Sequence, residues 1–229
     1  MRFYDFYYLH YSANDLNGIN ILEGINDKKL RENTSILIID NEEFPLEEAL
    51  SSLGFRLKKK NGNEENFCIN DYAEYDIVLC DISGVGQCLN SKYEGAFLAN
   101  EIKKAYPNKI VISYTSTSYS PNHYQFQQLL DGIFPKGSSI EDWVSLLDDK
   151  IKKLADIKYQ WVTTRNKLLQ ENINIGIVAD LEHIFVKSVI NKDFQSLKKI
   201  HNNSIQFEKT LSGLLQTLAV KIISGVIKN

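Results

Sequence analysis

Residues Tyr75 to Gly86 read YDIVLCDISGVG. An uninterrupted apolar run, Ile77, Val78, Leu79 and Cys80, delivers one carboxylate, Asp81, into a loop of small residues and glycine. A strand apolar at every position, rather than at every second one, is buried on both faces, as strands are in parallel sheets covered by helices. Its acid then stands at the carboxyl end of the strand, where open α/β sheets gather their ligands.

Outward from this stretch, residues 35–157 alternate short apolar runs with amphipathic segments, the pattern of a parallel sheet flanked by helices. The expected strands are SILIID (35–40), FRLKKK (55–60), YDIVLCD (75–81), KIVISYT (109–115) and DGIFPK (131–136). The second ends in lysines and reads as an edge strand. Between them, PLEEALSSLG sets Leu46, Ala49, Leu50 and Leu53 on one helical stripe before Gly54, and SKYEGAFLANEIKKAYPN does the same with Phe97, Leu98, Ile102 and Ala105 before Pro107. Glycine and proline at those places stop helices. The link NGNEENFCINDYAE is short and polar, so only a weak helix is expected in it.

A further helix is expected to start at Ser138 or Ser139, either a suitable N-cap, and to run to about Gln170 on the spacing of Ile140, Trp143, Leu147, Ile151, Leu154, Ile157 and Trp161. No proline follows Pro135, and the remaining segments are helix-patterned. The organisation expected is an N-terminal aromatic-rich extension (1–33), with Phe3, Tyr4, Phe6, Tyr7, Tyr8 and Tyr11 packed on the main domain, a β/α domain (34–157) and a helical tail (158–229). Tail residues Trp161, Leu168, Ile177, Leu181, Phe185, Leu211, Leu214, Leu218 and Ile222 form apolar stripes suited to self-association or to an output partner.

Composition narrows the functional classes. The chain has 229 residues, 43% hydrophobic and 24% charged, values of a folded globular protein and not of a disordered or collagen-like one. The net charge of -3 is uneven: residues 151–229 hold twelve Lys or Arg against six acids, and the preceding part fourteen against twenty-three. The lysines of the tail recur at helical intervals, as on a solvated helix face, and no helix-turn-helix pattern accompanies them, so nucleic acid is not the expected partner. Cys68, Cys80 and Cys88 form no C-x-x-C pair, and His10, His123, His183 and His201 show no metal spacing. The opening MRFYDFYYLHYS lacks the apolar core of a signal peptide, and no stretch of about 18 apolar residues follows, so a cytoplasmic protein without membrane contact is expected.

Four polar groups fall at the carboxyl ends of the expected strands: Asp40 with Asn41 and Glu42, Asp81, Thr115 with Ser116, and Lys136. Together they are hard oxygen ligands for Mg²⁺, a carboxylate nucleophile, a hydroxyl donor and an ammonium. That inventory suits formation of an aspartyl phosphate. Singly, such residues also serve as helix caps, turn formers or edge charges.

With the motifs ILIIDNEE, YDIVLCD, GAFLANEIKK, IVISYTS and GIFPKG in this order, the chain resembles the receiver domain of two-component response regulators over about residues 34–156. The resemblance implies an α/β fold, a doubly wound five-stranded parallel sheet of order 2-1-3-4-5, followed here by an all-α extension. It implies Asp81 as phosphoacceptor, Mg²⁺ held by Asp40, Asn41, Asp81 and the backbone at Ser83, Thr115 as the switch hydroxyl, and Lys136 on the phosphoryl group. The chain departs from the family pattern at Asn41, where a second acid is usual, at SGVG in place of Met-Pro, and in the longer loop that puts Gly95 fourteen residues after Asp81. It departs also at Gly137 in place of proline and at Ile133 in place of an aromatic residue.

The function so implied is a signalling module and not an enzyme. It takes a phosphoryl group from a histidine kinase or phosphotransfer protein and acts on a downstream protein through its helical tail, which also suits a homodimer. Two alternatives stand beside it. One is a degenerate receiver that binds its partner constitutively, motivated by Asn41, Gly137 and Ile133. The other is an aspartate-nucleophile phosphohydrolase, which Asp40-Asn41-Glu42, Thr115 and Lys136 fit in order but without the usual Asp-x-Asp.

Overall fold

The computed structural model describes residues 11–65, 67–116, 126, 128–193, 208–225 and 227. They fall into two compact units, Ile25–Lys153 and Met1–Gly24 with Leu154–Asn229. The division differs from the expected boundaries: residues 27–33 are a helix of the β/α unit, and residues 11–24 group with the helices that follow Leu154.

The β/α unit opens with helix α1 (Asp27–Asn33), whose N-cap Asn26 accepts from the Lys29 amide. Strands β1 (Ser35–Ile39), β2 (Arg56–Lys60), β3 (Ile77–Asp81), β4 (Ile110–Thr115) and β5 (Gly132–Pro135) follow the expected runs closely. They form one parallel sheet in the order β2-β1-β3-β4-β5. This is the flavodoxin-like doubly wound order, shared by CheY-like receivers, and it puts a topological switch point between β1 and β3. β2 is the edge its lysines announced, with Lys58 and Lys59 exposed.

Helices α2 (Glu47–Ser52) and α3 (Glu94–Ala105) are crossovers. Gly54 ends the first at φ 93, a left-handed conformation that side chains disfavour. Of the α2 stripe, Leu50 is fully buried but Leu53, expected beside it, is 42% exposed because the helix has already ended. Among the described residues, the polar link before β3 supplies only a 3-10 turn, Ile69–Tyr72.

On one face of the sheet Leu37, Ile39, Val78, Cys80 and Val111 pack with Leu98, Ala99 and Ile102 of α3. Their alternating neighbours Ile36, Ile38, Ile77, Leu79, Ile110 and Ile112 are equally buried and, by the period of two, line the opposite face. Each such side chain contributes about 1.5–3 kcal/mol on leaving water. Below that second face lies helix α4 (Ile140–Ala155), whose Trp143 ring meets Phe134, Phe44 and Tyr114 edge-on at 4.6, 5.4 and 5.9 Å. Ser139 caps α4 by accepting from the Asp142 amide, and a two-bond pair from Arg31 to Asp148 ties α1 to α4.

The single helix expected from 140 to 170 is two. Asp156 interrupts it and caps α5 (Ile157–Gln170), its carboxylate accepting from the Tyr159 amide. The apolar spacing crosses the break because both helices bury residues there, so periodicity alone did not reveal the cap.

In the helical unit, α5 packs with α6 (Ile175–Ile190), α7 (Glu208–Leu215), α8 (Leu218–Ile223) and a 3-10 turn, Ala13–Leu16, closed by a Ser12–Asp15 capping box. Trp161 stacks on Phe185 at 4.9 Å, among Leu16, Leu168, Leu181, Leu211 and Leu214. Glu182 accepts from Trp161 Nε1 and the Ala13 amide and pairs with Arg165. The stripes read as a self-association surface are therefore the interior of this unit, Leu218 and Ile222 included. Ile177 is the departure, 41% exposed. Of the N-terminal aromatic patch, Phe3 to Tyr8 lie outside the described residues, while the Tyr11 ring packs 5.5 Å from that of His183. Among the described residues no helix is long and apolar enough to cross a membrane.

Candidate functional site

The carboxyl ends of β1, β3, β4 and β5 bring four sequence-selected residues to one edge of the sheet. Asp40 follows β1 directly, and its amide donates to the Lys60 carbonyl across the β2 edge. Asp81 is the last residue of β3 and pairs in register with Tyr114. Thr115 ends β4, buried, and its carbonyl accepts from the Lys136 amide, which sets Lys136 beyond β5.

Lys136 is the centre of this arrangement. Its Nζ lies 3.0 Å from Asp40 Oδ2, 3.0 Å from Asp81 Oδ2 and 3.4 Å from Glu42 Oε2. Asp40 is fully buried and Asp81 nearly so, whereas Glu42 reaches in from solvent. Burial alone would lower the pKa of the ammonium, but hydrogen bonds to Asp40 and Asp81 and their charges outweigh it, and Lys136 is pushed up to about 12. It stays protonated at any physiological pH.

The two carboxylates are held by further donors. Asp40 Oδ1 accepts from the Glu42 amide at 2.8 Å and Oδ2 from the Tyr114 hydroxyl at 2.7 Å. Asp81 Oδ1 accepts from the Ile82 amide at 2.7 Å and, more loosely, from the Ser83 amide at 3.4 Å. Each acid is thus fixed in orientation, and Asp81 keeps its Oδ2 toward the ammonium.

Tyr114 and Glu94 belong to the site and escaped the sequence reading. Burial, then the bond to Asp40, push the Tyr114 phenol far up, so it acts as a permanent donor. A tyrosine inside a buried strand is a usable signal, since a buried hydroxyl needs a partner. Glu94 accepts from the Gly84 amide at 2.7 Å and holds φ 44 at the first turn of α3. An acid in that turn is ordinary, so nothing in sequence marked it.

The loop after Asp81 is bound tightly to α3. Gly84 has φ 76, and a Cβ there would come within 2.8 Å of Asn41 Oδ1, so the Asn41 side chain lies against this loop. Gly95 donates its amide to the Ile82 carbonyl, and a Cβ on it would fall 1.8 Å from the Asp81 carbonyl oxygen. Only glycine permits that approach.

No group of three His, Cys, Asp or Glu side chains converges to cage an ion among the described residues. Magnesium does not ask for one: it takes one or two carboxylates, keeps several waters, and accepts backbone oxygens. Asp40 and Asp81 are two carboxylates of the kind such an ion takes, each with an oxygen 3.0 Å from Lys136 Nζ.

The geometry defines a class: a doubly wound parallel α/β unit with an acid pair and a lysine at the carboxyl ends of its strands. No family model matches the chain, and no curated protein does. Among solved structures the chain is similar to a CheY-like response regulator receiver domain protein from Methanospirillum hungatei JF-1, at 17% identity over 52% of this chain and 94% of that one, with a TM-score of 0.41. It is similar to the response regulator protein TrrA from Thermotoga maritima in complex with Mg²⁺ and beryllium fluoride (22%, 52% and 98%, 0.40). It is similar also to a response regulator protein from Burkholderia pseudomallei carrying a phosphorylated aspartic acid, a calcium ion and citrate (17%, 65% and 92%, 0.40).

Proposed function

We propose that the β/α unit is a phosphoacceptor module of response-regulator type. Asp81 takes a phosphoryl group from the phosphohistidine of a kinase or phosphotransfer protein, and the helical unit passes the change to a protein partner. The observation that carries this reading is Lys136 Nζ, 3.0 Å from both Asp40 and Asp81 at the ends of two adjacent strands. An ammonium bridging two buried acids is placed to neutralise oxyanions that arrive beside Asp81.

In the step proposed, an oxygen of Asp81 bonds to phosphorus as the N–P bond of the donor breaks, its electron pair leaving on the imidazole nitrogen. Lys136 exchanges its contact with Asp81 for one with the phosphoryl oxygens and remains tied to Asp40. Tyr114 holds Asp40 in place throughout. Mg²⁺, held by Asp40, Asp81, the Ser83 backbone and Asn41, would supply further positive charge to the transferring group. Thr115, which ends β4, is proposed as the hydroxyl that follows the new group. The module turns over no free substrate and so is not an enzyme in the ordinary sense. The output is proposed to use the helical unit because α6 leaves Ile177 and Ile184 exposed seven residues apart, on one face of the helix.

One observation favours the second reading, a receiver that binds its partner without phosphorylation. Asn41 brings no charge to the site, and its side chain is engaged against Gly84. Intact-mass measurement of the full chain after incubation with acetyl phosphate and Mg²⁺ separates the two. A single phosphate adduct that disappears in Asp81→Asn is expected; its absence selects the second reading, and multiple-turnover release of phosphate from unrelated monoesters would point to a phosphohydrolase.

A further inference from the structure

The three amides that follow Asp81 point at two different acids. Those of Ile82 and Ser83 serve Asp81 Oδ1, at 2.7 and 3.4 Å, the Ile82 amide being shared with the Tyr114 carbonyl at 3.3 Å, and that of Gly84 serves Glu94 Oε2, at 2.7 Å. Successive backbone N–H groups in a turn with a left-handed residue, here Gly84 at φ 76, make a concave anion site. Glu94 fills its third position from the start of α3, in a left-handed conformation that non-glycine residues avoid. The neighbouring Gly95 keeps it close, since its backbone rests on the Asp81 carbonyl.

We propose that Glu94 is a resident anion of the phosphoacceptor pocket, a positioning residue that occupies the Gly84 amide in competition with an oxygen of the phosphoryl group on Asp81. The inference rests on Asp81 being the phosphoacceptor. When Asp81 forms its O–P bond and the donor leaves with the electron pair of the broken bond, Asp81 Oδ1 becomes a weaker acceptor and the group gains negative charge. The Ser83 and Gly84 amides then suit the phosphoryl oxygens, and Glu94 opposes them by like charge and by holding one of these donors. Glu94 therefore slows acceptance of the group, and its displacement releases the first turn of α3.

Glu94→Gln in the full chain tests this, because the amide has the same length and can still accept from Gly84 while carrying no charge. With acetyl phosphate and Mg²⁺, the initial rate of adduct formation on Asp81 is expected to rise roughly fivefold, the scale of one partly screened charge. Glu94→Asp, which keeps the charge, should show no rise. The Gly84 amide proton resonance reports the contact itself: it should move upfield in Glu94→Gln without donor, and shift on phosphorylation of the wild type. Equal rates in wild type and Glu94→Gln, with a clear adduct in both, overturn the role of Glu94 and leave Asp81 as phosphoacceptor. No adduct in either overturns the phosphoacceptor reading and this inference with it, whereas an adduct in Glu94→Gln alone supports both. An unmoved Gly84 resonance in Glu94→Gln overturns the contact.

Discussion

Replacing Lys136 by methionine tests whether the acid pair depends on it. The substitution keeps an unbranched side chain, one atom shorter, and removes the charge that Asp40, Asp81 and Glu42 share. The magnitude can be worked from the titration of the lysine. A rise from the ordinary 10.5 to about 12 corresponds to about 2 kcal/mol of interaction with the protonated form, at 1.36 kcal/mol per pH unit. The side chain is 14% exposed, so solvent screening takes only a small part of this. Removing one partner of a buried pair costs about 3–5 kcal/mol when a charge is left uncompensated. Asp40 keeps donors in Tyr114 and the Glu42 amide, and Asp81 keeps the Ile82 amide, so a loss of about 2–3 kcal/mol is expected.

Urea unfolding at pH 7 of the fragment 25–157, whose one tryptophan is Trp143, followed by fluorescence, measures it. The pH dependence gives a second check on the same number. Because the folded pKa of Lys136 lies above the unfolded one, its contribution is complete below about 10.5 and is lost as the pH rises through about 12. Wild type should lose its advantage over Lys136→Met as the pH rises through that window. Millimolar Mg²⁺ should restore part of the stability of the variant, since a cation bound by Asp40 and Asp81 replaces the missing one. A variant within about 0.5 kcal/mol of wild type at pH 7, outside the reach of a buried ion pair, would refute the reasoning.

Asp81→Asn should abolish the phosphate adduct while circular dichroism stays that of wild type, since the amide is nearly isosteric but no nucleophile; label mapping to another residue would defeat the assignment. Asn41→Asp should tighten Mg²⁺ about tenfold by adding an anionic ligand, as read by calorimetric titration, and unchanged or weaker binding would show that Asn41 does not face the metal. Gly95→Ala should lower stability by about 3 kcal/mol or leave the β/α unit unfolded, because its Cβ would fall 1.8 Å from a backbone oxygen; a loss under about 1 kcal/mol would mean that the loop yields freely. A fragment of residues 25–157 should fold alone and give the same adduct as the full chain, and an unfolded fragment would show that the two units are not independent.

The fold was legible because it rests on features that act locally. Three uninterrupted apolar runs, a lysine-ended fourth and a short fifth specify buried, edge and terminal strands of a parallel sheet. Gly54 stops α2 through its own backbone preference, which no packing needs to supply. What failed were readings that depend on partners distant in sequence. Asp156 looked like one polar residue on a long helix, yet it caps α5. The apolar stripes of the tail looked exposed because the turn Ala13–Leu16, some 145 residues upstream of Ile157, helps to enclose their core.

The same distinction runs through the site. Asp40, Asp81, Thr115 and Lys136 could be chosen because each ends a strand, and the carboxyl ends of parallel strands meet by topology alone. Tyr114 and Glu94 could not, because their roles come from one hydroxyl reaching Asp40 from β4, across the intervening β3, and one carboxylate bending back to Gly84. Both follow from departures that the sequence does display. The long loop between Asp81 and Gly95 leaves amides that need an acceptor, and Glu94 supplies one. The absence of a second acid at Asn41 leaves Asp40 to hold its place with a single charge, and Tyr114 shares that charge with Lys136. Each role thus rests on a single side-chain contact, the Tyr114 hydroxyl on Asp40 and the Glu94 carboxylate on the Gly84 amide, which the strand pattern does not encode.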